Sequence, residues 1–261
     1  MTKLFHEIRD NSSALITLVD VNIKTTVAAT RLGWLWWIVN PLLMMAIYYF
    51  FINIIMERGG DNYHIFVLTG LVAWQCFSAA LAGTTDVIIN NKQLIRQVAL
   101  PISMLIAIPI LVQLFFNSIG IIIILIWNYP AAGIHSLTVI PLLALIGLIA
   151  YGLGLFLSVI NVYIRDTKQI MVYLLRAGFF LSPILYPASR VLDSERLPEI
   201  AKIAFTLNPM AWIITALHNV LIDGQLFSWQ TFSVLLFISL VIIQVGLFWL
   251  RANSSQLIKM L

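Results

Sequence analysis

The side chains of this sequence that can move a proton, bind a metal or attack a substrate are few enough to follow singly. The carboxylates are Glu7, Asp10, Asp20, Glu57, Asp61, Asp86, Asp166, Asp193, Glu195, Glu199 and Asp223; the imidazoles are His6, His64, His135 and His218. General acid–base or nucleophilic chemistry needs at least two such groups held within hydrogen-bond reach, and a metal centre needs three or four ligands. No spacing among these residues reads as such a constellation. The single cysteine, Cys76, permits neither an intrachain disulfide nor a thiolate cluster, and reads as a small buried or lipid-facing side chain. The phosphate-cradling pattern G-x-x-x-x-G-K-[ST] is absent. The chain is therefore expected not to be an enzyme and to hold no metal or cofactor. Any driving force must come from another polypeptide.

The elements around these residues explain their scarcity. Of 261 residues 61% are hydrophobic and 10% charged, against about 25% charged in soluble domains. That places the chain in the membrane class and excludes a soluble enzyme or a nucleic-acid binder. A crossing helix needs about 20 apolar residues. Six segments qualify: 34–55, 65–83, 104–127, 137–160, 169–187 and 230–250. As drawn, none contains a carboxylate or a histidine. Ion-coupled carriers keep such a group near the midplane, so an ion-driven carrier is disfavoured. A membrane enzyme acting on isoprenoid phosphates is disfavoured too, since Asp86 and Asp166 have no acidic neighbour in sequence. The one charge inside a segment is Arg176. Two readings stay open for it: a side chain snorkelling to the headgroups, or a cation facing an anionic headgroup on a path.

Basic residues set the orientation. Lys3, Arg9, Lys24, Arg31, Lys92, Arg96, Arg165, Lys168, Arg251 and Lys259 flank alternate ends of the six segments. The positive-inside rule puts that side, with both termini, in the cytoplasm. The first thirty residues do not read as a signal peptide. Instead Leu4, Ile8, Leu15, Val19, Ile23 and Val27, joined by Phe5 and Ile16, predict an amphipathic helix over 4–27 lying on the membrane with its apolar side down. On the outer side, residues 196–206 and 210–222 predict two short helices split by Asn208-Pro209, stopped at Asp223-Gly224. The expected fold is an all-α membrane protein with six transmembrane helices and short re-entrant helices between the fifth and sixth. No internal repeat is visible, so a pathway is most simply built by two copies around a two-fold axis.

Several local patterns follow one another: LGWLWWIVNPL (32–42), VLTGLVAWQCFS (67–78), NNKQLIRQVALP (90–101), NVYIRD (161–166), FFLSPILYP (179–187) and LNPMAWI (207–213). In this order and spacing they resemble the permease subunit of ABC-2 type transporters that export polysaccharides, most nearly the O-antigen export permeases, with teichoic-acid and capsule exporters as relatives. The resemblance covers nearly the whole chain as one transmembrane domain. It implies an interface helix over 1–31, helices one to five over 32–187, outer gate helices over 188–229, helix six over 230–250 and a cytoplasmic tail over 251–261. It also implies a homodimer in a bacterial inner membrane, two copies of a cytoplasmic ABC ATPase that hold ATP and Mg, and a polysaccharide carried on undecaprenyl pyrophosphate. Export of teichoic acid, capsule, a drug or another lipid is the alternative.

The resemblance assigns roles that residue chemistry can be set beside. Asn91, Lys92, Leu94, Ile95 and Arg96 would form the helix that docks on the ATPase, the apolar pair in a groove and the cations on acidic rim residues. Trp34, Trp36 and Trp37 stand at the start of the first span, either as interfacial anchors or as flat surfaces for sugar rings. Tyr48, Tyr49, Trp74, Phe77 and Tyr186 are further aromatics for such a path. Arg165 offers a two-pronged guanidinium to a pyrophosphate, while Asp166 suits the N-cap of the next helix. Asn208, Pro209 and Trp212 would belong to an outer gate. Arg176 stands where the family pattern has an uncharged residue.

Overall fold

The computed structural model describes residues 12–60, 62–97, 100–128 and 133–260. The expected helix over residues 4–11 falls outside them. Among the described residues every regular element is helical. In chain order these are α1 (Ser12–Ala28), α2 (Trp36–Tyr49), α3 (Tyr63–Asn90), α4 (Lys92–Gln97), α5 (Ile102–Trp127), α6 (Val139–Tyr163), α7 (Thr167–Phe180), α8 (Ser189–Leu192), α9 (Glu199–Leu207), α10 (Pro209–Leu221) and α11 (Trp229–Met260). A tight turn, Gly33–Leu35, leads into α2, and a widened π turn, Phe50–Ile55, extends it.

Five helical stretches are long and apolar enough to cross a bilayer: Gly33–Ile55, α3, α5, His135–Tyr163 and Trp229–Leu257. The expected fifth span, 169–187, is not one of them. Its helix α7 has 14 residues, about 21 Å at about 1.5 Å per residue, against a hydrocarbon core of about 30 Å. Pro183 has no N–H to continue the ladder, and the chain turns from Leu181 onward. A sixth span exists only if α9 and α10 count as one, and they are bent by 73°. The expected break at Asn208-Pro209 is therefore present, one residue wide.

α3 is the central post. Most of its residues are buried, and α2, α5, α6, α7 and α10 all lean on it. α6 carries α11 on its other side. Small residues allow the close approach that membrane helices need. A Cβ added to Gly154 of α6 would lie 2.7 Å from Thr84 Oγ1 of α3, and one added to Gly178 of α7 would lie 2.7 Å from the Trp74 ring.

Four further helices differ from the sequence expectation. The apolar residues of α1 are not turned to lipid: Leu15, Leu18, Val19, Ile23 and Val27 pack on a core built from α3, α5, α6 and α11. Ile16 is off that stripe and exposed. The helix of the last span does not stop at residue 250 but runs to Met260, with Leu257 fully buried and Tyr163 Oη within 3.2 Å of Gln256 Oε1. The helices α3 and α6 also overrun their segments. Asp86 and His64 lie in the end turns of α3, and His135 begins the stretch containing α6. The middle of each long stretch remains free of acid and imidazole. His218 is the exception in depth, buried in α10.

Candidate functional site: a tryptophan-lined cleft, a braced inner end and a hinged outer end

The tryptophans gather where α1 turns into α2. Trp34 and Trp36 are exposed, while Trp37 lies flat on Phe116 of α5, ring centroids 4.1 Å apart and planes 4° from parallel. The cluster lies well along the neighbouring helices α3 and α5. Trp37 shares its cavity with Gln75, which is 15 residues before Asn90 at the end of α3, or about 22 Å. Phe116 is 14 residues after Ile102, the first of α5, about 21 Å by the same rise. Because α1 runs along α5 before the elbow, α2 starts part-way down its neighbours. Beside the elbow is a cleft of about 270 Å³ lined by Thr26, Thr30, Trp36, Trp37, Asn40 and Gln75.

The inner end is braced. Lys168 Nζ lies 2.6 Å from Asp86 Oδ2. Asn161 Nδ2 donates to Asp86 Oδ1 at 3.1 Å and to the Thr85 carbonyl at 3.0 Å. One carboxylate thus ties α3, α6 and α7 together just before α4. Sequence spacing could not show this, since the partners are 75 and 82 residues from Asp86 in the chain. In α4, Leu94 and Ile95 are half-buried against the chain's own core. The outward face is Lys92, Gln93, Arg96 and Gln97. Asn91 caps α3 instead, its Nδ2 donating to the Val87 carbonyl at 2.8 Å. Asp166 does occupy the N-cap of α7, but its side chain makes no cap bond; Thr167 Oγ1 donates back to the Ile164 carbonyl instead.

Arg165 and Arg176 are both exposed and lie at opposite ends of α7. The Arg176 guanidinium sits 5.8 Å from the centroid of the Tyr173 ring, near enough for a cation–π contact. The expected aromatic path divides. Trp74 and Phe77 are 8% and 7% exposed and belong to the core. Tyr48 is half-buried and stacks on Phe179 of α7, 5.8 Å between centroids. Tyr49 meets Tyr63 and His64. Tyr186 Oη donates to the Phe180 carbonyl at 2.6 Å, closing the turn after α7.

Asn208 organises the outer end. The residue before a proline is held extended, and Asn208 has φ −78°, ψ 109°. Its Oδ1 accepts from the Met210 N–H at 3.0 Å and so caps α10. Its Nδ2 donates to Ser182 Oγ at 2.9 Å, in the turn that ends α7. Trp212 Nε1 donates to the Thr206 carbonyl at 3.0 Å and holds the bend from the other side. His218 Nε2 lies 3.0 Å from the Phe66 carbonyl; a carbonyl only accepts, so this nitrogen carries the proton. Nearby lies a cleft of about 520 Å³ whose walls include Arg58, Asn62, Tyr63, Arg190, Asn219 and Asp223. These residues come from three stretches of the chain far apart in sequence, around 58–63, at 190 and at 219–223, which is why no motif announced them.

The family described as ABC-2 type transporter matches residues 13–222. The chain belongs to this family. It is 27% identical over 237 residues to the O-antigen export system permease protein RfbA of Klebsiella pneumoniae, covering 89% of each chain. To the RfbA protein of Myxococcus xanthus it is 27% identical over 246 residues, 93% of each. With the polysialic acid transport protein KpsM of Escherichia coli it shares 22% identity over 242 residues, 90% of this chain and 92% of that one. The ABC-2 assignment fits an all-helical, multi-span membrane subunit.

Proposed function

We propose that this chain is the membrane-spanning subunit of an ATP-driven exporter that carries an undecaprenyl-pyrophosphate-linked polysaccharide of O-antigen type across a bacterial inner membrane. The observation that carries this reading is near full-length similarity to O-antigen export permeases from two distant bacteria. Two copies of the chain would form the path, and two copies of a separate ATPase would supply the energy, since the sequence has no nucleotide-binding motif of its own. The basic ends would face the cytoplasm, which sets α4 toward the ATPase with Lys92 and Arg96 outward. Arg165 before α7 and Arg176, about 16 Å further along, would meet the pyrophosphate in turn, and the Asn208-Pro209 bend would serve the outer gate. Similarity to a polysialic acid transport protein favours capsule polysaccharide as the second reading.

The test is expression of the chain with the ATPase gene nearest to it in a strain lacking its own O-antigen permease. Surface polysaccharide should return, and the tagged chain should co-elute with the ATPase in equal amounts. Failure of both would remove the reading. Arg176→Gln should lower export at unchanged protein level; a wild-type rate would assign Arg176 to snorkelling.

A further inference from the structure

Behind the tryptophan cluster lies a second, smaller chamber. It has a volume of about 20 Å³ and sits between α2, α3 and α5, where Gln75, Gln113 and Asn117 converge. Trp37 and Gln75 line both this chamber and the 270 Å³ cleft, so one layer of side chains divides them. Asn117 is 7% exposed, and its Nδ2 has no hydrogen-bond partner. An amide N–H left unpaired in an apolar interior is costly, and three primary amides at one depth of a membrane protein call for a polar occupant. A space above about 10–15 Å³ admits one water or one hydroxyl group.

The chemistry of the walls narrows the ligand. Among the described residues, none lining either chamber is charged. A phosphate or carboxylate would meet no cation there. Amides both donate and accept, which matches hydroxyl groups, themselves donors and acceptors. The outer chamber is far larger than one water, and Trp36, 44% exposed, presents an open indole at its mouth. We infer that the two chambers form a binding site for a neutral polyhydroxylated ring, a sugar. Its C–H face lies on the indoles, its hydroxyls meet Asn40 and Gln75, and a water in the inner chamber joins Gln75 to Asn117. Such a ring can belong to a glycan in transit, which rests on the function proposed above, or to a glycolipid of the surrounding membrane.

The full-length protein in lipid nanodiscs is titrated with a short-chain alkyl glucoside below its micellar concentration, and tryptophan fluorescence is read. The alcohol and the phosphate of the same chain length serve as controls. A saturable change is expected with the glucoside alone, with affinity weakened about tenfold in Gln75→Leu and Asn117→Leu. Asn40→Leu tests the same point at an exposed position where folding is not at risk. A response that fails to saturate, that is equal in all variants, or that the phosphate matches, overturns the inference. In cells, variants that lose both glucoside binding and export assign the site to the cargo; variants that lose binding and export normally assign it to a membrane glycolipid. Absence of export with the wild-type chain would instead count against the function proposed above, whatever the glucoside does.

Discussion

Asn208 shows how one side chain can do two structural jobs at once. Its oxygen caps α10 and its amide reaches the turn after α7. Loss of an Asn cap costs about 0.5–2 kcal/mol. Asn208→Ala should therefore lower the thermal unfolding midpoint in detergent, and Asn208→Asp, which keeps the cap acceptor but not the donated bond to Ser182, should recover part of it. Equal midpoints for both variants would mean that the Ser182 bond dominates. The Asp86–Lys168 pair makes a second residue-scale prediction. Lys168 is 65% exposed and Asp86 17%, so the pair is partly screened and its worth is modest. Its value lies in tying α7 to α3. Asp86→Ala should reduce export more than Lys168→Ala, because it also removes one of the two acceptors of the Asn161 amide. The exchange Asp86→Lys with Lys168→Asp should restore only the α3–α7 tie; a full rescue would make the Asn161 bond irrelevant.

Between elements, the contacts are decided by small residues. Gly154→Leu should separate α6 from α3 and lower the yield of folded protein, and Thr84→Ala should partly suppress it by making room where the Cβ collides. Suppression by a distant substitution instead would point away from this contact. The sequence made the long apolar elements and the break at Asn208-Pro209 legible, because length, hydropathy and proline act locally. It did not show that α7 stops at Phe180. The stretch 169–187 is apolar enough to cross, but Ser182-Pro183 turns the chain, and composition alone does not weigh one proline against a run of aliphatic residues. It also placed the apolar side of α1 on lipid, because periodicity states that a face is covered without stating by what. The roles of Leu94 and Ile95 were open in the same way. Their apolar character reads as docking surface, yet the chain itself covers them. The coupling prediction therefore moves to Lys92 and Arg96: reversing both to Glu should abolish co-elution with the ATPase while membrane insertion is unchanged, and retained co-elution would place the contact elsewhere.

For the whole molecule, orientation is the property most directly open to measurement. Cys76 is buried, 3% exposed, so single added cysteines can be read against a low background. Arg58→Cys should react with a membrane-impermeant maleimide in intact cells whose outer membrane is opened, and Lys92→Cys only after the inner membrane is breached. The reverse pattern would invert the topology and with it the assignment of α4 to the ATPase side.

The late start of α2 shapes the rim of the molecule. On that flank the wall begins some 20 Å further along than the neighbouring α3 and α5. There α1, lying along α5 with its apolar face on the same core, stands in for the missing part of α2. That flank is therefore made of two helices joined at the Gly33 turn, so the wall can change its angle there without breaking a continuous helix.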